Sequence, residues 1–198
     1  NRSKWDIASH PMNESTFAGS LANEEMGVPG VSPYLAFGKT YGKMTGMPVG
    51  LIQTSLGGSP MERWNPKDGD LYLNMVDKIH ETGGRYAGVL WYQGCSDTNP
   101  GPAEKYLEHF REYVEATRKE LGYEIPFFTM QLNRQINGIN DECWGMVRDA
   151  QARAAKEIPG VSVLTTSNLS LCDGIHNTAQ ANVALGEKLA KQCAHVLN

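Results

Sequence analysis

The 198-residue sequence predicts an α/β fold in which a parallel sheet lies between two layers of helices. Short, almost continuously apolar segments alternate along the chain with longer amphipathic segments. Such alternation is typical of a parallel sheet covered by helices. The apolar segments also lack the every-second-residue pattern of strands that have one wet face, as expected when both faces are covered.

The elements follow from the apolar spacing. The first 32 residues are polar, are interrupted by Gly and Pro, and are expected to form an irregular surface segment. Strands are predicted over 48–54, 86–93, 126–132 and 161–167. Helices are predicted over 33–44, 71–82, 102–121 and 142–157, followed by a final helix with an apolar stripe at Ala181, Leu185, Leu189, Cys193 and Val196. No repeat or low-complexity linker interrupts this pattern, so we interpret residues 1–198 as a single domain.

Composition argues against several classes of partner. The net charge is −4 and no Lys/Arg cluster occurs, which argues against nucleic-acid binding. No run of about 18 apolar residues is present, so no membrane span is predicted. The four cysteines (Cys95, Cys143, Cys172 and Cys193) form no Cys-x-x-Cys pair, which argues against a zinc site. They allow three disulfide pairings, and we favour isolated buried thiols.

Three loops that follow predicted strands carry the polar groups of chemical interest. They are "SLGGSPMERW" (55–64), "GCSDTNPG" (94–101) and "NLSLCDGIHNT" (168–178). The carboxyl ends of parallel strands share one edge of a sheet, and ligands bind beyond that edge. We therefore expect the side chains of the three loops to converge on one site.

Each loop offers a different chemical group. Gly57 and Gly58 permit a sharp turn that aims backbone N–H groups at a ligand, and the Gln93 carboxamide is a further donor. His176 serves as base and acid near neutral pH. Asp173, three residues earlier, is placed to accept the Nδ1 proton of His176 and to stabilise the imidazolium.

Each feature also has a plainer interpretation. A Gly-Gly pair is often only a tight turn, and Gln93 is a suitable residue for capping a loop. Trp64 and Trp91 are more readily explained as core than as sugar-stacking platforms. Asp-Gly-Ile-His is a short motif that carries little weight alone. The convergence of three such loops favours catalysis.

Three blocks of sequence resemble a known family. "MPVGLIQTSLGGSPMERW", "GVLWYQGCSDT" and "DGIHNTAQANVALGEKLA" are similar to the SGNH/GDSL-type carbohydrate esterases, in the sialate O-acetylesterase and acetylxylan esterase branch. The resemblance runs from about residue 31 to residue 198 and implies a three-layer α/β/α domain. It also implies a serine esterase that removes O-acetyl groups from carbohydrate through an acyl-enzyme and needs no metal or organic cofactor.

The resemblance assigns roles to individual residues. It makes His176 the general base, Asp173 its partner, and Gly57 or Gly58 together with Gln93 the oxyanion and substrate-binding groups. The implied partner is an acetylated carbohydrate of the sialic acid or xylan type. A secreted or periplasmic location follows by analogy only.

Two departures from the family pattern stand out. The family usually has an acidic residue directly after Gln-Gly, where this chain has Cys95, so activity or substrate range is expected to differ. The family's nucleophilic serine lies in a Gly-x-Ser motif after its first strand, and this chain has no strand followed by Gly-x-Ser. Ser20, Ser55, Ser59 and Ser96 are poor substitutes.

We therefore expect the first strand, which is central in a flavodoxin-like sheet, and the nucleophile to lie upstream of residue 1. The partner of this chain would then be an upstream segment of the same gene product. The alternative hypothesis is a non-catalytic carbohydrate-binding domain on a decayed esterase fold. A third is an esterase of non-sugar substrates, although no long apolar lid supports it.

Overall fold

The computed structural model describes residues 5–12, 16–17, 20–21 and 30–197. The chain divides into two compact units, one formed by residues 1–57 with 169–198 and the other by residues 58–168. The described residues contain five α-helices and a three-stranded parallel sheet, which confirms the predicted α/β class. Within this described part, no helix combines the length and the apolar character needed to cross a membrane.

The described residues of the first unit form two helices and a two-residue antiparallel strand pair. Strands β1 (Thr16–Phe17) and β2 (Ser20–Leu21) pair antiparallel. Helix α1 spans Tyr34–Thr45 and helix α5 spans Ala179–Leu197. Helix α1 ends at Gly46, whose φ of 71° is the left-handed conformation that commonly terminates helices.

Helices α1 and α5 pack so closely that one position must be glycine. A Cβ on Gly186 of α5 would overlap the carbonyl oxygen of Pro33 and lie 2.9 Å from the nitrogen of Phe37. The predicted apolar face of α5 is buried at Ala181, Leu185, Leu189 and Cys193. Val196 is 51% exposed, so the stripe extends one turn beyond the packed face.

The second unit holds the sheet. Its elements in chain order are a 3₁₀ helix at Met61–Trp64, α2 (Asp70–Thr82), β3 (Val89–Trp91), a 3₁₀ helix at Cys95–Asp97, α3 (Pro102–Leu121), β4 (Phe127–Met130), α4 (Asp141–Glu157) and β5 (Val161–Leu164). The strand order is β3-β4-β5 and all pairs are parallel. Val89 lies opposite Phe127, which in turn lies opposite Val161.

An aromatic cluster forms the core of the second unit. The rings of Trp64 and Trp91 meet edge to face with centroids 5.1 Å apart, and the Tyr113 ring lies 4.5 Å from that of Trp91. Phe110 and Phe127 complete the contacts with Trp91 and Tyr113. Large aromatic rings contribute much of the apolar area that such a core removes from water. The expected core use of both tryptophans is confirmed.

The predicted strand over 48–54 is wrong. This segment lies outside the three-stranded sheet, although Val49 and residues 51–54 are half-buried. Apolar composition suits a strand, but a strand also needs a neighbouring chain to complete its backbone hydrogen bonds. The other three strands lie inside their predicted ranges and are shorter, because the chain turns away where each ladder ends. All five predicted helices are confirmed.

The close approach at Gly186 predicts an unusual response to alanine. Gly186→Ala should lower the free energy of unfolding by about 1–3 kcal/mol, because the added methyl group overpacks the α1–α5 contact. The control is Gly145→Ala in α4, where a Cβ would meet nothing within 4 Å. That change should stabilise the protein by up to about 1 kcal/mol through helix propensity. Urea unfolding of both variants tests the pair, and equal effects would contradict the close packing.

Candidate active site

The Asp-x-x-His motif lies in a tight loop of the first unit, just before α5. Leu171 and Asn177 form an antiparallel bridge at its base. The amide of Cys172 donates to the carbonyl oxygen of His176 at 2.8 Å. Gly174, at the tip, has a φ of 93° that few other residues tolerate. The loop therefore has a defined backbone that presents Asp173 and His176 together.

Asp173 and His176 make the contact expected from their spacing. Oδ2 of Asp173 lies 2.6 Å from Nδ1 of His176, while Oδ1 accepts the amides of His176 at 2.8 Å and Ile175 at 3.1 Å. The His176 amide and the His176 ring lower the pKa of Asp173 to about 2, although the carboxylate side chain is 52% exposed. Asp173 is thus a fixed negative charge at neutral pH.

This pair has the form of a base and its orienting group. A carboxylate at Nδ1 selects the tautomer that carries its proton there and leaves Nε2 as the basic atom. The His176 side chain is 61% exposed. Proton exchange with a bound reactant is therefore open to Nε2.

The predicted residues of the second unit lie in two turns that are bonded together. Gly58 is exposed and has a φ of 69°, and its carbonyl oxygen accepts the Ser96 hydroxyl at 2.7 Å. Nε2 of Gln93 donates to the carbonyl oxygen of Ser59 at 2.9 Å. Gly57, the other predicted glycine, is exposed at the end of the first unit. The structure thus joins Gln93 to the turn that begins at Gly58.

A buried acid that the sequence analysis did not identify lies beneath these turns. Asp97 is only 3% exposed. Both of its carboxylate oxygens lie 3.1 Å from the amide nitrogen of Met61, and Oδ2 accepts Nε2 of Gln93 at 2.5 Å. Burial raises the pKa of Asp97, while the bonds from Gln93 and Met61 oppose that rise. An acid in the loop that follows a predicted strand was the available signal.

Two side chains form hydrogen bonds with the backbone carbonyl of Gln93. Its carbonyl oxygen accepts Nε2 of Gln151 at 2.9 Å and the hydroxyl of Tyr106 at 3.1 Å. Gly94 follows with a φ of 138°, and a Cβ there would lie 3.1 Å from Nε2 of Gln151. Gln151 was also missed, although a polar residue on the buried face of an amphipathic helix indicates an internal hydrogen bond.

The two hydrogens of the Gln93 carboxamide are therefore directed at Ser59 and Asp97. A role for Gln93 in binding an oxyanion requires one of these hydrogens to be shared. That role stays a prediction, as do those of Gly57 and Gly58.

The serines named above occupy different settings. The hydroxyl oxygen of buried Ser59 accepts Nε1 of Trp64 at 3.1 Å, and Ser55 accepts the side chain of Gln53. Only the backbone of Ser20 is described, in strand β2. The expectation of an upstream nucleophile stays a prediction.

The remaining predicted features concern cysteines and metals. Cys143 and Cys193 are buried as expected, whereas Cys172 is exposed and Cys95 is half-buried. Cys95 begins the 3₁₀ helix that ends at Asp97. Across the described residues, no group of three His, Cys, Asp or Glu side chains is arranged to hold a metal ion.

Comparison with known proteins identifies the family. A family model described as carbohydrate esterase, sialic acid-specific acetylesterase, matches residues 1–195. The chain belongs to this carbohydrate esterase family. Membership confirms the resemblance proposed from the three sequence blocks and supports an esterase-type hydrolase.

Relatives of this carbohydrate esterase come from a plant and a bacterium. A probable carbohydrate esterase from Arabidopsis thaliana is 27% identical over 197 residues, which cover 95% of this chain and 70% of the relative. The X-ray structure of the Arabidopsis protein matches with a TM-score of 0.83 at 26% identity, covering 98% of this chain and 78% of that one. A carbohydrate acetylesterase from Xanthomonas citri matches with a TM-score of 0.72 at 25% identity, covering 82% and 40% of the two chains.

The hydrogen bonds to Asp173 predict how its carboxyl group titrates. Because its pKa of about 2 lies below the ordinary 3.8, the stabilisation of the loop is present above pH 3.8 and is lost as the pH falls towards 2. Carboxyl ¹³C NMR at pH 3.8 should show Asp173 almost fully ionised. In His176→Ala the pKa should rise towards 3.8, because the ring contact is lost while the backbone contacts remain.

A peptide of residues 168–178 is the control, since an unstructured loop does not align these donors. Half-ionisation of Asp173 at pH 3.8 in the folded protein would contradict the geometry.

Proposed function

We propose that this protein hydrolyses O-acetyl esters of carbohydrate through an acyl-enzyme formed on a serine. One observation carries the proposal: in a chain of the carbohydrate esterase family, Nδ1 of His176 lies 2.6 Å from the carboxylate of Asp173. A histidine oriented in this way is the base that ester hydrolysis by a serine requires.

In the acylation half, Nε2 of His176 takes the proton of the serine hydroxyl as its oxygen attacks the acetyl carbonyl carbon. Asp173 stabilises the imidazolium that results. The tetrahedral intermediate then collapses: the bond from carbon to the sugar oxygen breaks, and His176 gives the proton to that oxygen. The products of this half are the free sugar hydroxyl and an acetyl-serine.

In the deacylation half, His176 takes a proton from water as the water oxygen attacks the acetyl-serine. The serine leaves, receives the proton back from His176, and acetate is released. The negative oxygen of both intermediates needs donors, and we assign the N–H groups of Gly57 and Gly58 together with a shared hydrogen of Gln93. Each such donor is worth about 3 to 4 kcal/mol of barrier in acyl transfer.

The substrate is proposed to be an acetylated sugar of the sialic acid or xylan type. The family description names sialic acid, and the Xanthomonas relative is described as a carbohydrate acetylesterase. The serine is expected upstream of residue 1, so the assay uses the intact gene product. Acetate release from O-acetylated sialic acid and from acetylated xylo-oligosaccharides, measured side by side, separates the two substrates.

Removing the base tests the mechanism. His176→Ala should lower kcat about a thousandfold or more, since no other group would take the serine proton. His195→Ala, an exposed histidine of helix α5, is the control and should keep normal activity. A loss below about tenfold in His176→Ala, equal to about 1.4 kcal/mol of barrier, would exclude His176 as the base.

Two further outcomes bear on this proposal. A fluorophosphonate probe followed by peptide mass spectrometry identifies the nucleophile, and labelling within residues 1–198 would contradict its upstream position. Sugar binding without release of acetate would favour the alternative of a carbohydrate-binding domain.

A further inference from the structure

We propose that Asp97 is a positioning residue for ester hydrolysis: its buried carboxylate fixes the Gln93 carboxamide and, with it, the turn from Gly58 to Met61. The inference rests on the proposed function, because the positioned groups are those assigned to the oxyanion. Asp97 itself is held away from solvent and is not proposed to touch the substrate.

Asp97 connects two segments that are distant in sequence. Its carboxylate accepts the amide of Met61, 36 residues earlier, at 3.1 Å from each oxygen. It also accepts Nε2 of Gln93 at 2.5 Å. Hydrogen bonds to an ionised acceptor are stronger than those between neutral groups. These contacts all come from N–H donors, so the ionised carboxylate is the form that the site accommodates.

The orientation of the Gln93 carboxamide follows from the hydrogen-bond acceptors around it, which include Asp97. Nε2 faces two oxygen acceptors, the Asp97 carboxylate and the carbonyl of Ser59. The other end, Oε1, is buried and has no hydrogen-bond partner within the described part of the chain. Rotating the carboxamide by half a turn would set Oε1 against both acceptors. Asp97 and the Ser59 carbonyl together thus favour an orientation that leaves Oε1 without a hydrogen-bond partner in the described part of the chain.

The same bonds hold the Gly58 turn in place. The Ser59 carbonyl accepts the Gln93 side chain, and the Gly58 carbonyl accepts the Ser96 hydroxyl. The Met61 amide donates to Asp97. Gly58 itself is exposed, has a left-handed φ and has no side chain of its own to fix it. The aim of its N–H group therefore depends on its neighbours, which are held by the buried side chains of Ser59 and Met61 and by the bonds to the 93–97 segment.

The test is Asp97→Asn in the intact protein, assayed on the acetylated sugar. The substituted side chain keeps an oxygen for the Met61 amide, but its NH₂ group faces Nε2 of Gln93, so two donors oppose each other. We expect kcat to fall about 10- to 100-fold, the effect of misplacing a reacting group, with KM within about threefold of wild type. Asp149→Asn, which removes an exposed carboxylate of helix α4, is the control and should leave both constants unchanged.

A double-mutant cycle with Gln93→Ala separates positioning from a general structural effect. If Asp97 acts through Gln93, adding Asp97→Asn to Gln93→Ala should cost little further kcat. The proposal would be overturned if the losses in kcat of the two single variants multiplied in the double variant. It would also be overturned if Asp97→Asn alone kept a kcat within about twofold of wild type. If Asp97→Asn does not fold, Asp97→Glu keeps the charge and moves the carboxylate, and full kcat in that variant would also overturn it.

The side-chain amide NMR signals of Gln93 provide a readout that does not depend on activity. In wild type they should show a hydrogen bond to a charged acceptor, and Asp97→Asn should shift them while Asp149→Asn should not. An inactive wild-type protein would defeat the proposed function, whereas unmoved Gln93 signals in Asp97→Asn would defeat the positioning role.

Discussion

The buried backbone groups just beyond strands β3 and β4 need hydrogen-bond partners, and the side chain of Gln151 provides one for each strand end. Gln151 of helix α4 is fully buried. Its Oε1 accepts the amide of Leu132 after β4 at 2.8 Å, and its Nε2 donates to the carbonyl oxygen of Gln93 after β3 at 2.9 Å. Each of these backbone groups would cost about 1–3 kcal/mol if buried without a partner. The chain beyond the carboxyl end of β3 packs closely against this link at Gly94, where a Cβ would lie 3.1 Å from Nε2 of Gln151.

Asp173 of the first unit and Asp97 of the second unit are held by different kinds of hydrogen-bond donor. Asp173 is exposed, and three local donors from adjacent residues lower its pKa without help from burial. Asp97 is buried, and its donors are Gln93, four residues away, and the Met61 amide, 36 residues away; both oppose the upward effect of burial on its pKa. The first arrangement orients one ring, whereas the second joins two loops. The Asp173–His176 contact follows from their spacing in the sequence, whereas the contact of Asp97 with Met61 is created only by the folded chain.

That difference explains what the sequence could predict. The five helices follow from apolar stripes, and the Asp173–His176 contact follows from a spacing of three within one loop. The segment 48–54 was predicted as a strand from its composition, but strand pairing depends on a neighbour that composition does not specify. Asp97 was missed for a similar reason, because its burial and its contact with the Met61 amide, 36 residues earlier, are created only by the folded chain.

The contact at Gly186 affects the order in which parts of the chain can fold during synthesis. Helix α1 begins at residue 34 and helix α5 ends at residue 197, so the two surfaces that meet at Gly186 leave the ribosome about one domain's length apart. Residues 58–168 are continuous and can fold while synthesis goes on, since domains generally fold as units. The first unit closes only after helix α5 emerges, and the loop that bears His176 immediately precedes that helix. The proposed base is thus fixed in place only after residues 58–168 have been made.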